Sequence, residues 1–389
     1  MRKITVGIIG TGFIGPAHIE AIRRLGFVEV VAIAESNLAS AEKKAQQLGI
    51  PKAYGDYREL LQNPDIEVVH NCTPNYLHFQ INKEAILAGK HILSEKPLAI
   101  SSVESAELVA LAKSKGIVHG VNFNYRQFPI LRQLASMIQR DDLGPIHLIH
   151  GSYLQDWLLY ETDYNWRLAP EIGGTSRAVA DIGSHWCDTI QYVTGKKVVE
   201  VFADLATVIP IRKKPIHQVT TYASQGGTAV DYEDAAIVTE DYASVLLRFD
   251  DGAKGAFSVS QVSAGRKNKL SFELNGSKKS AFWNQEEAEK LWIGHRDQAN
   301  EVLLADPALF LQEARSTIHH PGGHNEGWPD SVKHMMLHFY SFLREGKDPL
   351  TEQANFATFE DGHCSMLITE AILDSYAKGQ WVKVKQTRG

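Results

Sequence analysis

The feature that most constrains the fold of this 389-residue chain is Gly10-Thr11-Gly12-Phe13-Ile14-Gly15, set directly behind the apolar run Lys3–Ile9 and ahead of a helical pattern over Ile14–Leu25. A glycine turn that leaves a buried strand and opens a helix fits few architectures. Gly10 permits the tight turn, Gly12 lets the backbone approach a diphosphate, and Gly15 lets helix and strand pack closely, while the amides at the helix start face anionic groups. The rhythm continues with strands predicted at Glu29–Ala34, Glu67–Cys72, His91–Leu93 and Ile117–Asn122, and helices at Leu38–Leu48, Tyr76–Ala88 and Val103–Lys115. Gly89 stands where a helix C-cap belongs, and Ser101 with Glu104 has capping-box spacing. Strand and helix in alternation imply an α/β Rossmann domain with a doubly wound parallel sheet over residues 1–123.

Beyond Asn122 the pattern changes. A helix is predicted near Ile130–Gln139, ending at Asp141-Asp142-Leu143-Gly144-Pro145, and a long alternating strand follows. Strands at Ala235–Thr239, Ala243–Phe249, Gly255–Val262 and Lys269–Leu274 read as a meander, with Asp251-Gly252 and Asn275-Gly276 suited to tight hairpins. Helices near Ser331–Arg344 and Phe356–Lys378 close the chain. Residues 124–389 are therefore expected to form one α+β domain on a mostly antiparallel sheet.

The net charge of −6, without a Lys/Arg block, argues against nucleic acid and against an anionic membrane surface. No apolar run approaches the ~20 residues of a membrane span, and the N-terminal apolar stretch runs into the glycine turn without a small-residue cleavage site. Cys72, Cys187 and Cys364 are scattered and odd in number, which suits a reducing compartment, with cytoplasm as the expectation.

Glu35 stands 20 residues past Gly15, at the end of the second predicted strand. An acid there hydrogen-bonds the adenosine ribose hydroxyls of NAD and repels a 2′-phosphate. Ser36 and Asn37 follow it rather than arginine. The cofactor reading is NAD, against the bland alternative of a glycine-rich turn and a solvated carboxylate.

Ser94-Glu95-Lys96-Pro97 follows the strand His91–Leu93, at the carboxyl edge where such sheets bind ligands. Much later, in Asp181-Ile182-Gly183-Ser184-His185, an acid and a histidine stand four apart and share a helix face. Such a pair can hold a hydroxyl while its proton leaves. A surface lysine, and a helix N-cap aspartate beside a packed histidine, are the structural alternatives.

As a set, the glycine turn, Thr73-Pro74-Asn75-Tyr76-Leu77-His78, Glu95-Lys96-Pro97 and Asp181-Ile182-Gly183-Ser184-His185 resemble the glucose–fructose oxidoreductase / inositol dehydrogenase / rhizopine-catabolism (Gfo/Idh/MocA) oxidoreductases over nearly the whole chain. The resemblance implies a Rossmann domain followed by an open-faced antiparallel sheet commonly used for oligomerisation, here a homodimer or homotetramer. It implies a catalytic group of Lys96, Asp181 and His185, and a cofactor-binding set of Gly10, Gly12, Phe13, Ile14, Gly15, Glu35, Thr73, Pro74, Asn75, His78, Glu95 and Lys96. The expected activity is NAD-dependent oxidation of a secondary hydroxyl of a sugar, sugar derivative or cyclic polyol, with either Lys96 or His185 as base and no resident metal. The expected substrate lining takes in Tyr125 and Arg126, Gln155, Asp156 and Trp157, Asn165, Trp166 and Arg167, and Arg177, besides Asp181 and His185. The stretch His319–Trp328 reads as a loop rather than a metal site, with no acidic or cysteine partner at a ligand spacing. The alternatives are a redox-neutral sugar- or glycoside-processing enzyme that retains NAD, and a non-catalytic dinucleotide-binding regulator.

Overall fold

A computed structural model describes residues 2–216 and 231–385 of the chain. The first six strands are β1 (Ile4–Ile9), β2 (Val28–Ala34), β3 (Lys52–Tyr54), β4 (Val68–Asn71), β5 (His91–Ser94) and β6 (His119–Val121). They form one parallel sheet in the order β3-β2-β1-β4-β5-β6. The helices α1 (Ile14–Arg23), α2 (Leu38–Leu48), α3 (Tyr57–Gln62), α4 (His78–Leu87) and α5 (Ser102–Lys115) alternate with them. The expected Rossmann topology is present. Two short pieces escape sequence periodicity, β3 and α3, because three and six residues are too few to display a period.

The chain divides into two compact units that do not follow a single boundary at 123/124. One comprises residues 1–127 and 328–366, the other residues 128–327 and 367–389. The reason lies in covering both faces of the parallel sheet. On one face, α1 and α2 contribute Ile19, Ile22 and Ala45 to a core with Val6, Ile8, Val30 and Ile33. The part of that face formed by Val68, Leu93 and Val118 packs in the same cluster with Val332, Met335, Met336, Phe339 and Tyr340 of the late helix Trp328–Arg344. On the other face, Ile81, Ala85 and Ile86 of α4 and Leu108 and Ala112 of α5 pack with Ile9, Val69, Ile92, Ala357 and Phe359. The Val121 amide donates to the Ala357 carbonyl at 2.9 Å, beside the edge strand.

The second unit is built on a nine-stranded sheet. Its strands are β7 (Ile146–Leu154), β8 (Val198–Ala206), β11 (Tyr242–Phe249), β12 (Lys254–Ser260), β13 (Lys269–Gly276), β14 (Ser280–Asn284), β15 (Lys290–Gly294), β16 (Glu301–Leu304) and β17 (Val382–Lys383), while β9 (Ile211–Pro215) and β10 (Tyr232–Ala236) form a separate ribbon. The order is β16-β15-β14-β13-β7-β12-β11-β8-β17. The sheet is mostly antiparallel, but it is not a simple meander. β7 inserts between β12 and β13, parallel to the first and antiparallel to the second, so the consecutive strands predicted at Gly255–Val262 and Lys269–Leu274 are not neighbours. The strand predicted at Ala235–Thr239 starts earlier, at Tyr232, and leaves the large sheet for the ribbon.

One face of this sheet is closed. Ile149, Tyr153, Val245, Leu247, Phe257, Val259 and Phe272 alternate inward and are buried, and Trp186 of helix Ser184–Thr194 stacks on Phe257 with ring centroids 4.5 Å apart. Trp186 also donates its indole N–H to the Ser271 carbonyl at 3.1 Å. The other face shows Leu148 and Leu246, 51% and 47% exposed on strands β7 and β11. No helix among the described residues is long and apolar enough to cross a membrane.

Phe339 is fully buried among helix and sheet side chains of the first unit. Phe339→Ala is expected to lower stability by about 3–5 kcal/mol, the usual cost of a large aromatic cavity. Denaturant unfolding followed by far-UV circular dichroism measures it; an unchanged midpoint would place the helix Trp328–Arg344 outside the folded core.

Candidate active site

The glycine turn is held by close backbone approaches. Gly10 donates its N–H to the Ala34 carbonyl at 3.0 Å and has φ 86°, and a Cβ there would lie 2.8 Å from the Cys72 carbonyl oxygen. At Gly15 a Cβ would fall 2.4 Å from the Gly10 carbonyl oxygen, so turn and helix touch through backbone alone. Around Gly12, by contrast, a Cβ would meet nothing within 4 Å, and no side chain caps α1. The turn therefore presents amides to open space at a helix start, where anions bind.

Glu35, at the end of β2, accepts through Oε1 from the Thr11 amide at 2.6 Å and from Thr11 Oγ1 at 2.5 Å. The acid expected to read a ribose thus also ties down the glycine turn. Its Oε2 has no hydrogen bond among the described residues, so it can still accept from hydroxyls. An uncapped helix start, open space at Gly12 and this carboxylate together fit a dinucleotide.

The motifs at residues 73–78 and 95–97 meet through one histidine. His78, at the start of α4, has Nδ1 2.6 Å from the Pro97 carbonyl oxygen and Nε2 2.8 Å from that of Thr73. Beneath it, Thr73 Oγ1 donates to Asn71 Oδ1 at 2.7 Å, Asn71 donates to Asn82 Oδ1 at 2.9 Å, and Asn82 donates to Ser94 Oγ at 2.9 Å. These bonds fix the ends of β4 and β5 to each other, which aims the segment carrying Glu95 and Lys96. Glu95 is buried. Its Oε1 accepts from His18 Nε2 at 2.8 Å and Asn122 Nδ2 at 2.6 Å, and its Oε2 from the Lys96 amide at 3.3 Å. Burial alone would push the Glu95 carboxyl up; His18, the Asn122 amide and the Lys96 charge more than offset that and hold it below the usual carboxylate range. The Lys96–Pro97 peptide is cis.

In the second unit, Asp181 lies in a wide helical turn, Val179–Gly183, that runs straight into helix Ser184–Thr194, whose second residue is His185. Glu240 caps the start of this stretch: its Oε1 accepts from Ser176 Oγ at 2.8 Å, the Arg177 amide at 2.9 Å and the Val179 amide at 2.9 Å. Asp181 Oδ2 accepts from Gln261 Nε2 at 2.9 Å, and Oδ1 lies 3.6 Å from Arg167 Nε. The Arg167 guanidinium sits over the Trp166 ring, 4.4 Å from its centroid. The His185 ring is buried, tilted against Tyr153 with centroids 6.4 Å apart. Tyr153 donates to Asn268 Oδ1 at 2.6 Å, as does Gln155 at 2.9 Å, and Trp157 donates to Gln155 Oε1 at 2.9 Å. An acid, a histidine, an arginine over an aromatic face and a ring of amides converge here, and such a set can hold a polyhydroxylated ligand and move a proton.

Not every predicted lining residue stands in this group. Arg177 is 2% exposed, and its guanidinium donates to Asp241 Oδ1 at 2.5 Å, Thr239 Oγ1 at 3.2 Å, the Thr239 carbonyl at 3.3 Å and Gln261 Oε1 at 3.2 Å. It is a core cation that orients Gln261, and through it Asp181, rather than a group presented to a ligand. Asp156 pairs with Lys267 at 2.6 Å. Tyr125 and Arg126 are buried in the first unit, on the short helical turn Asn124–Gln127, with Arg126 3.2 Å from Asp361. In the stretch His319–Trp328, Glu326 Oε1 accepts from the His319 and His320 amides at 2.6 and 3.0 Å. That is an acidic neighbour which spacing alone did not suggest.

Gln261, Glu240, Asp241, Asn268, His18 and His70 carry weight that is not predicted from the sequence. Two of them leave a legible trace: His70 interrupts an apolar buried strand, and His18 lies on α1 one turn past Gly15.

Residues 4–123 match the family model described as "Oxidoreductase family, NAD-binding Rossmann fold", and residues 131–282 match the GFO/IDH/MocA C-terminal domain. The chain is 32% identical to levoglucosan dehydrogenase of Pseudarthrobacter phenanthrenivorans over 99% of both chains. It is 24% identical to myo-inositol 2-dehydrogenase of Thermotoga maritima, again over 99% of both. A solved structure of levoglucosan dehydrogenase in complex with NADH and levoglucosan is 30% identical and superposes with a TM-score of 0.88 over 99% of this chain and all of that one. The chain belongs to the Gfo/Idh/MocA family of oxidoreductases.

Proposed function

We propose that this protein is an NAD-dependent dehydrogenase that oxidises a secondary hydroxyl of a sugar, sugar derivative or cyclic polyol. The observation that carries the reading is Asp181 and His185 on one helical stretch, with the acid held at both oxygens by Gln261 and Arg167. A bound NAD supplies the hydride acceptor. The residues of the chain do the rest. The Gly10–Gly15 turn and Glu35 hold the diphosphate and the ribose. Asp181 orients the substrate hydroxyl or the imidazole, and Lys96 or His185 takes its proton. A histidine needs little tuning to act as base near neutral pH. The presence of Lys96, Asp181 and His185 together favours catalysis over the regulator reading. Levoglucosan is the first substrate to test, because the 32% identical relative is named for it. Three scattered cysteines, odd in number and without a CxxC pair, support a reducing compartment and so a cytoplasmic protein.

NADH formation at 340 nm across a panel of anhydrosugars, aldoses and inositols should reveal turnover, and Lys96→Ala and His185→Ala should each lower kcat by roughly 10²-fold or more. NADH affinity by fluorescence titration should fall far less than kcat, because the Gly10–Gly15 turn and Glu35 hold the diphosphate and the adenosine ribose. Asp181→Asn, which keeps the shape and removes the charge, should also lower kcat without changing the melting temperature. Full activity in Lys96→Ala would end this mechanism.

Wild-type protein should bind NAD more tightly than NADP, and Glu35→Ala with Ser36→Arg should reverse the order. Because Glu35 also holds Thr11, part of the lost NAD affinity will come from a looser turn. Tighter NADP binding by the wild type would refute the cofactor choice.

Leu148 and Leu246, half exposed on the open sheet face, support a second copy of the chain covering it. Light scattering at micromolar concentration should give a dimeric or tetrameric mass, and Leu148→Glu with Leu246→Glu should shift it toward the monomer. A monomeric wild type would count against this assembly.

A further inference from the structure

Behind Glu95 runs a row of buried polar side chains that neither the cofactor nor the sugar reading uses. Tyr340 Oη lies 2.6 Å from His70 Nε2, His70 Nδ1 lies 2.9 Å from His18 Nδ1, and His18 Nε2 lies 2.8 Å from Glu95 Oε1. Tyr340, His70 and His18 are fully buried. They come from three separate elements: helix Trp328–Arg344, strand β4 and helix α1. The row ends on the residue before Lys96.

Counting protons gives the row a direction. A neutral imidazole has one N–H and one lone pair, a phenol has one O–H, and an ionised carboxylate only accepts. The Tyr340 hydroxyl has one hydrogen-bond partner among the described residues, His70 Nε2. If it donates there, His70 carries its hydrogen on Nδ1 and donates to His18 Nδ1. His18 then carries its hydrogen on Nε2 and donates to Glu95. Each hydrogen of the row finds an acceptor, and Asn122 Nδ2, 3.1 Å from His18 Nε2, donates instead to Glu95 Oε1 at 2.6 Å. The opposite order strands the Tyr340 proton in a dry site and turns a His18 lone pair toward a carboxylate oxygen, both of which are costly. The Cys72 thiol, 3.5 Å from His18 Nδ1, is a second, weaker donor toward the same lone pair. Burial first, and then His18, keep His70 well below the ordinary histidine range, which suits a neutral ring.

We propose that Tyr340, His70 and His18 are positioning residues: a one-way hydrogen-bond row that fixes Glu95 as an immobile carboxylate and so aims the Glu95-Lys96 segment for the reaction. Tyr340, remote in sequence, sets the direction for the whole row. The turnover arm of the test rests on the dehydrogenase reading; the tautomer arm does not.

Tyr340→Phe should lower kcat by about 10-fold, the usual scale for partners that orient a working group, with NADH affinity within about threefold of wild type. His70→Gln, whose carboxamide can donate to His18 Nδ1, should regain much of the kcat lost in His70→Leu. A packing role alone would lower melting temperature and NADH affinity alike in His70→Gln and His70→Leu, and that outcome overturns the proposal, as does wild-type kcat in Tyr340→Phe. Should the variants fail to fold, imidazole ¹⁵N spectra of the wild type without ligand decide. Hydrogen on Nε2 of His18 and on Nδ1 of His70 supports the row, and the reverse tautomers overturn it. The expected tautomers in a wild type that oxidises no sugar or polyol support the row and refute the dehydrogenase reading instead.

Discussion

A carboxylate taken out of water at the edge of a parallel sheet costs several kcal/mol unless its oxygens are bonded, and Glu95 is that carboxylate here. Its partners are the reason several distant segments must arrive together: His18 from α1, Asn122 from just past β6, and the backbone of Lys96 itself. Removing any one leaves a buried charge short of a donor, so the arrangement is cooperative. What this constraint delivers is aim. Lys96 follows a residue that cannot move, on a segment whose next carbonyl, at Pro97, faces His78.

The second unit solves a parallel problem with Glu240 and Asp241. Glu240 gathers a hydroxyl and two amides at the start of the helical stretch that bears Asp181 and His185. Asp241 holds two fully buried arginines, Arg177 at 2.5 Å and Arg212 at 2.8 Å. Burial, its largest influence, lowers the Arg212 guanidinium against the pull of Asp241. From Arg177 the order passes through Gln261 to Asp181. In both units a buried acid fixes the segment that bears the proposed catalytic residues. That suits hydride transfer, whose rate depends on holding donor and acceptor carbons in line.

These networks also show why residue type alone does not give an arginine its role. Arg177 has the residue type and neighbourhood of a sugar-binding side chain, yet its donors are directed to Asp241, Thr239 and Gln261. Residue type shows what a side chain can bond; its partners show what it does bond.

From the sequence by itself came the elements with a period or a fingerprint: the glycine turn, the βα alternation, Glu35 at the end of its strand, the Glu95-Lys96-Pro97 segment, and the Asp181–His185 pair. Such features are local, because a 3.6 or 2.0 period and a turn's steric demand act over a few residues. Only the tertiary structure decided that the helix Trp328–Arg344 completes a sheet begun some three hundred residues earlier, that β7 slips between β12 and β13, and that Tyr340 reaches Glu95 through two histidines. The reason is physical. A buried polar atom must find a partner wherever the chain can supply one, and nothing in the spacing of residues 18, 70, 95 and 340 records which partner the folded chain brings within 3 Å.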